Sequence, residues 1–181
     1  MSSSLDNVKD KIKSAAGSSD GLLTKIQNFF GMGYADKENL RELDKKLRDS
    51  YYQAFKGLRH RWEEVYLAAL EAGKKGDDFK KVIQVTDRLA EKINRADYGY
   101  AGLFDRKGSI REVELTKAFE LDKSFSADIS FFSTSIDEVY ADYEAEAWDA
   151  AMPKVKKIRS LVLDLEKKWD SREQQFRPVG V

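Results

Sequence analysis

The chain has 181 residues, and its 32 basic side chains balance its 32 acidic ones, so the formal net charge is zero. This neutrality argues against non-specific nucleic-acid binding, which needs a basic surplus. The absence of cysteine excludes disulfide bonds, thiolate metal sites and a cysteine nucleophile, and the single histidine, His60, excludes any site in one chain that needs two imidazoles. Charged residues make up 35% of the chain and hydrophobic residues 41%, which is typical of a charged, mostly helical globular protein.

Residues 1–35 differ from the rest of the chain because their apolar periodicity is short and interrupted. The spacing predicts one amphipathic helix before Gly17 and a second one over residues 20–30. Both are shorter than the ~12–15 residues that an isolated helix needs in water, so another surface must cover their apolar faces. We therefore predict two parts: an N-terminal amphipathic helical segment, residues 1–35, and a helical bundle domain, residues 36–181.

The first part of the bundle domain shows apolar residues at helical spacing. Over residues 36–72 they recur about every 3.6 residues, which predicts a nearly straight helix rather than a long left-handed coiled coil. A second helix is predicted to end near Ala96, with Asp77 or Asp78 as its N-cap. The sequence Ser-Ile-Arg-Glu at 109–112 fits a capping box and predicts the start of a short third helix.

The last apolar run is the longest, and it keeps its phase across Pro153. Proline inside a helix costs about 3 kcal/mol and usually kinks it, and no glycine or turn cluster flanks this one. We therefore predict one kinked helix over residues 125–175 rather than a hairpin. The predicted fold class is all-α: an elongated antiparallel helical bundle of three to four long helices, with short amphipathic N-terminal helices and a kinked long C-terminal helix.

Charge is unevenly placed along this last predicted helix. Residues 123–153 carry one basic and seven acidic side chains, whereas residues 154–181 carry eight basic and four acidic ones. Opposite charges at the two ends of a rod favour antiparallel self-association or the docking of a charged partner. The alternative interpretation is that each half faces a complementary helix within the same bundle.

The strongest candidate for an interaction site is the apolar face of the second N-terminal helix. Its spacing fits an anchor that inserts into a groove of a protein partner or lies in a membrane interface. The alternative is that both N-terminal helices cap the open end of the bundle. The predicted anchor residues are Leu22, Leu23, Ile26, Phe29 and Phe30.

The second hypothesis is a binding site for a small molecule or an anion such as phosphate, with or without enzymatic activity. Paired arginines give bidentate contacts to phosphate, and the loop over residues 98–108 is long for a connection between helices. Local ion pairing is the alternative, since Glu63 lies four residues after Arg59. The candidate residues are Arg59, Arg61, Tyr98, Tyr100 and Arg106.

No motif in the chain indicates catalysis: it has no nucleophile elbow, no phosphate-binding glycine loop and no Glu-x-x-His pair. We predict no catalytic residue, no cofactor and no metal site. The predicted function is a non-enzymatic helical interaction or scaffold protein that binds a protein partner or a membrane surface through its N-terminal helices and polarised C-terminal helix. A homodimer fits this prediction, nucleic-acid binding does not, and the absence of a secretory signal pattern predicts a cytoplasmic location.

Overall fold

A computed structural model describes residues 21–25, 37–96, 99–100 and 112–176 of the chain. These residues contain no strand, and they form four long helices: α1 (Lys37–Glu71), α2 (Asp77–Asn94), α3 (Glu112–Glu144) and α4 (Trp148–Phe176). With 35 residues at 1.5 Å each, α1 is about 52 Å long. The prediction of an all-α bundle is confirmed. In the described ranges, no helix combines the length and the apolar character needed to cross a membrane.

Consecutive helices run antiparallel and pack as a four-helix bundle. The most extensive contacts join α1 to α2 and α3 to α4, and further contacts join α2 to α4 and α1 to α3. Helices α1 and α3 run in the same direction, since Tyr51 contacts Asp122 and, farther along both helices, Arg61 contacts Asp137. The α1–α2 turn and the α3–α4 turn therefore lie at one end of the bundle, which we call the upper end; the opposite end is the lower end.

The core is one continuous cluster of aliphatic and aromatic side chains. Trp62 stacks on Phe79 with ring centroids 5.4 Å apart, and its Nε1 donates to the Phe79 carbonyl oxygen at 3.0 Å. Tyr51 meets Phe125 edge-to-face at 5.0 Å, which joins α1 to α3. Most apolar positions predicted for α1 are buried in this cluster, namely Leu47, Tyr51, Ala54, Leu58, Trp62, Val65 and Ala69.

Helix α2 begins close to where the sequence predicts, but its cap differs. Gly76 is the N-cap and provides no side-chain hydrogen bond, whereas Asp77 and Asp78 lie inside the first turn. Negative side chains are stabilised there by the partial positive charge of the helix N-terminus. The two aspartates therefore stabilise the start of α2 by charge and not as its cap.

The prediction of a single kinked C-terminal helix is wrong. Helix α3 ends at Glu144, the chain reverses over residues 145–147, and α4 packs back against α3. The reversal depends on Glu146, which has a left-handed backbone with φ of 55°. Pro153 lies in the second turn of α4 and does not end that helix. At its other end α3 begins at Glu112, so it also includes the helix that the sequence predicts as a separate short element.

The two oppositely charged halves of the predicted rod pair with each other across the α3–α4 contact. Lys168 contacts Asp128, and the Nζ of Lys154 lies 2.7 Å from Asp142 Oδ2. These pairs agree with the alternative interpretation, in which the charges are matched within one bundle. Several carboxylates near the α3–α4 turn lie outside this pairing.

Candidate functional site

The lower end of the bundle holds a buried ionic cluster around Arg172 of α4. Its Nε donates to Asp122 Oδ1 of α3 at 2.7 Å, and its Nη2 donates to Asp44 Oδ1 of α1 at 3.1 Å. The guanidinium also lies over the rings of Trp169 and Phe176, 4.8 and 4.5 Å from their centroids. Arg172 and both carboxylates are at most 3% exposed. One buried cation therefore joins three helices.

Further donors surround the two carboxylates. The Tyr100 hydroxyl donates to Asp122 Oδ2 at 2.7 Å, and the Tyr51 hydroxyl lies 3.2 Å from the Asp122 carbonyl oxygen. Arg48 Nε donates to Asp44 Oδ2 at 3.2 Å. A buried anion is stable only when it is paired and hydrogen-bonded, and these contacts meet that requirement for both aspartates.

The chain segment that follows α2 is held against the same cluster. Arg48 also donates to the carbonyl oxygen of Ala96, just beyond the end of α2. A Cβ built on Gly99 would overlap the Asp44 carboxylate, so only glycine lets the backbone approach the anion this closely. Tyr100 follows directly and reaches the cluster with its hydroxyl. The ionic cluster thus determines how the chain leaves α2.

The electrostatics of the cluster favour fixed donors and acceptors over proton exchange. Burial raises the pKa of Asp44, and the charges of Arg172 and Arg48 offset part of that effect. Burial, together with a neighbouring carboxylate, raises the pKa of Tyr51 and Tyr100 well above its ordinary value of 10. Burial opposes the charge of Arg172, but the two carboxylates outweigh it and raise its pKa. We interpret the cluster as a structural connection between helices.

A crevice of about 370 Å³ opens beside the cluster, between the last turns of α2 and α4. Trp169 forms part of its wall, and the buried Nε1 of Trp169 and Nη1 of Arg172 have no acceptor among the described residues. The cations at the rim, Lys92 and Arg95, already contact carboxylates. The crevice has room for water or a small polar group, and each of its cations already has a carboxylate partner.

The predicted anion-binding arginines of α1 face different helices. Arg59 Nε donates to Asp87 Oδ1 of α2 at 3.0 Å, and its Nη1 donates to Glu63 at 2.8 Å. Arg61 is buried against α3, where it contacts Asp137. Each arginine therefore has its own carboxylate partner. The Arg59–Glu63 pair is the local one that the sequence predicts, whereas Arg61 pairs with a different helix.

The other predicted anion-binding residues do not join this pair. Tyr100 belongs to the ionic cluster, beside Tyr51. Arg61 lies ten residues farther along α1 than Tyr51, which corresponds to about 15 Å. Tyr98 and Arg106 lie outside the described residues. The structure does not bring the described members of the predicted anion site together.

Two of the five predicted anchor residues are covered by the chain itself. Leu22 and Leu23 are 8% and 4% exposed and belong to the hydrophobic core. Their burial agrees with the alternative in which the N-terminal helices cap the bundle. Ile26, Phe29 and Phe30 lie outside the described residues, so the anchor as a whole stays a prediction.

The single histidine lies at the surface of α1. His60 Nε2 is 3.9 Å from Glu64 Oε1, which is too long for a hydrogen bond. Across the described ranges, no group of three or more histidine, aspartate or glutamate side chains is placed to hold a metal ion.

The upper end presents two turns of opposite charge. The basic turn (residues 72–81) carries four lysines, none of which forms a salt bridge with a described residue, and two aspartates, of which Asp78 pairs with Arg159 at 2.7 Å. The acidic turn (residues 138–149) carries five carboxylates and no basic residue. Within the described part of the chain, Asp142 is its one carboxylate with a salt bridge.

Comparison of the chain with protein-family models, with curated proteins and with solved structures found no match. The function is therefore inferred from the geometry of the chain alone.

Sequence reasoning missed the ionic cluster, although the sequence contains a signal for it. The three charged residues of the cluster each lie three residues from a core side chain of their own helix, namely Asp44, Asp122 and Arg172. Each one therefore places a charge on the apolar face of its helix. Burying an unpaired charge is costly. Charged residues on an apolar stripe therefore indicate that the facing helices supply side chains of opposite charge. Which helix supplies each partner cannot be read from the spacing.

Proposed function

We propose that this chain is a non-enzymatic helical protein that binds another macromolecule through the upper end of its bundle. The observation that carries the proposal is a pair of exposed leucines, Leu67 and Leu70, which are 53% and 44% exposed near the end of α1. They lie three residues apart, so they share one face of the helix. Neighbouring exposed apolar side chains with a charged rim are typical of interaction surfaces.

The leucines belong to a larger apolar patch. A Cβ built on Gly76 would meet the ring of Tyr66 at 2.7 Å and Leu70 Cδ2 at 3.0 Å, so the two side chains lie together under the start of α2. Tyr66 is only partly buried. The lysines of the basic turn follow immediately along the chain, which gives the patch its charged rim.

The charges of the upper end favour a protein over a membrane as the partner. An anionic lipid surface attracts basic side chains and repels carboxylates. The acidic turn lies beside the basic turn, because α1 packs against α3 and α2 packs against α4. A surface that carries both signs is better matched by a protein with its own mixed charges.

The predicted interaction surfaces enter this proposal in different ways. Leu22 and Leu23 are buried, so they contribute nothing to a partner while they stay packed. The acidic half of the predicted C-terminal rod contributes, because its carboxylates are exposed at the acidic turn. A site for a small anion has less support, because Arg59 and Arg61 each have a carboxylate partner within the bundle.

The double change Leu67→Ser and Leu70→Ser tests the proposal. The immobilised wild-type chain and the variant are exposed to an extract of the source cells, and the retained proteins are quantified by mass spectrometry. We expect at least one protein to be retained by the wild type and to fall by ten-fold or more with the variant. Unfolding should be nearly unchanged, since surface substitutions usually stay within about 0.5 kcal/mol.

Phe131→Ser is the matched control, because this ring is 61% exposed on α3 and its loss removes a similar apolar surface elsewhere. The control should retain the same proteins as the wild type. Identical profiles for the wild type and the leucine variant would contradict the proposal. Leucine-dependent sedimentation with anionic vesicles, without any retained protein, would assign the surface to a membrane instead.

A further inference from the structure

We infer that the partner of the upper end is a second copy of this chain, bound head to head, with the basic turn of each copy on the acidic turn of the other. The inference rests on the proposed function, because it names the partner of the same surface. It starts from the charges that the fold leaves unpaired.

Elsewhere in the bundle, several charged side chains pair across helices. Arg88 binds Glu166 through two hydrogen bonds of 2.6 Å, and Lys92 contacts Asp170 at 2.9 Å. At the upper end, none of the four lysines of the basic turn and only one of the five carboxylates of the acidic turn forms a salt bridge with a described residue. The upper end therefore carries four lysines on one turn and four carboxylates on the neighbouring turn without such a salt bridge, so charges of opposite sign lie side by side.

The placement of the two turns makes the surface complementary to itself. They lie side by side across the end of the bundle, because α1 neighbours α3 and α2 neighbours α4. A two-fold axis perpendicular to the bundle, running between the turns, would set each basic turn opposite the acidic turn of the other copy. Contacts in such a two-fold interface occur twice, so each ion pair is doubled.

Apolar side chains at the upper end allow the two copies to approach closely. Leu67 and Leu70 are exposed immediately before the basic turn, and Ala141, Ala145 and Ala150 are exposed on or next to the acidic turn. Alanine adds apolar surface without the bulk that would hold the backbones apart. The contact thus combines a small apolar area with a ring of ion pairs.

Salt should control this dimer. The end of a four-helix bundle offers a small contact, and interfaces below about 1,200 Å² are typical of weak complexes. Exposed charges are screened over ~30 Å in 0.01 M salt and over ~3 Å in 1 M salt. We expect the full chain to sediment as a concentration-dependent dimer in about 0.01 M salt and as a monomer in about 1 M salt.

A charge-swap experiment tests the geometry by sedimentation velocity. Lys74→Glu with Lys75→Glu makes both turns acidic. Glu138→Lys with Glu144→Lys and Glu146→Lys makes both turns basic, because the acidic turn then carries three lysines against the two remaining carboxylates. Neither variant should self-associate, whereas an equimolar mixture of the two should form a dimer in low salt, because each acidic turn then meets a basic one. Lys45→Glu with Lys123→Glu is the control, since it makes the same charge change at exposed positions of the lower end and should leave the wild-type dimer intact.

A wild-type chain that stays monomeric in low salt would overturn the inference, and so would a mixture that fails to associate while the wild type dimerises. The proposed function is contradicted by a different result from the one that would overturn the inference. If the wild type is monomeric but loses a cellular protein when Leu67 and Leu70 become serine, the upper end binds a different protein and only the inference falls.

Discussion

The two ends of this bundle differ in whether their charged side chains are buried and paired. At the lower end, Arg172, Asp44 and Asp122 are buried and bonded to one another. At the upper end, the lysines of the basic turn and most carboxylates of the acidic turn lie at the surface without salt bridges to described residues. Buried, paired charges fix one arrangement of helices, whereas exposed, unpaired charges can meet a partner at little desolvation cost. This difference supports our proposal that the lower end maintains the structure and the upper end binds a partner.

The lower end also explains how the helices keep their register. Arg172 reaches α1 and α3 at the same time. A slide of α4 by one helical turn would move the guanidinium by about 5.4 Å and break both contacts. An apolar core of similar shape would resist such a slide less strongly, because hydrophobic contacts are not directional.

The largest expected effect comes from breaking the ionic cluster with Arg172→Met. The change leaves Asp122 buried without a cation and Asp44 with Arg48 alone, which should lower the free energy of unfolding by about 3–5 kcal/mol in urea denaturation at neutral pH. The loss should shrink in acid, since protonation removes the charge of the stranded carboxylates. Arg159→Met is the control: Arg159 is about half exposed and pairs with Asp78, so its loss should cost less than about 1 kcal/mol. Equal losses for the two variants would contradict the structural role of the cluster.

The next effect tests the close approach of the backbone to Asp44. Gly99→Ala should lower the free energy of unfolding by about 1–3 kcal/mol, because the added Cβ would overlap the carboxylate and force a shift. Gly21→Ala is the matched control, since nothing lies within 4 Å of a Cβ at that position. Thermal melts of both variants provide the measurement. A melt of the Gly99 variant no lower than that of the Gly21 variant would show that the segment after α2 does not pack against the cluster.

A smaller, pH-dependent effect comes from Glu166, which joins α4 to α2. Hydrogen bonds from Arg88 lower the pKa of Glu166 from 4.5 to about 2. Its contribution to stability is therefore complete above pH ~4.5 and is lost as the pH falls towards 2. Glu166→Gln should cost about 1–2 kcal/mol at pH 7, and the difference from wild type should disappear near pH 2. Asp164→Asn, at a 73% exposed carboxylate, should show no comparable step. A cost of Glu166→Gln that stays constant over this pH range would exclude the ion pair as its cause.

Periodicity could predict the fold class, because the apolar stripes of α1 and α2 lie where the core requires them. Leu47, Trp62 and Val65 are all completely buried at predicted positions. Periodicity could not predict the candidate sites. The contact of Arg172 with Asp44 spans 128 residues, and a one-dimensional pattern does not specify which distant charges meet. The charges of the α3–α4 turn could be counted from the sequence. Their position beside the basic turn follows only from the way in which the helices pack.

The missed reversal between α3 and α4 has a separate physical cause. A break of three residues preserves the helical phase well enough that the apolar stripe appears continuous from Tyr143 through Ala147 to Ala151. The usual glycine signal is also absent, because Glu146 takes the left-handed position that glycine normally fills.

The smallest predicted effect compares the two turns of the upper end directly. Both helices end in the same way: Gly73 and Glu146 have φ of 72° and 55°, and the amide after each bonds back five residues, Lys74 to Ala69 and Ala147 to Asp142. A left-handed backbone costs a non-glycine residue about 1–2 kcal/mol. Replacing that residue by glycine removes this cost, but glycine also loses more backbone entropy on folding, which cancels part of the gain.

Glu146→Gly should therefore raise the free energy of unfolding by about 0.5 kcal/mol, and Gly73→Ala should lower it by about 1 kcal/mol, as measured by thermal denaturation. The two substitutions should act with opposite signs, because one relieves a strained backbone and the other creates one. Shifts of the same sign would mean that the two turns do not share this geometry. In that case the placement of Glu144 and Glu146 at the acidic turn, on which the proposed head-to-head contact depends, would have to be revised.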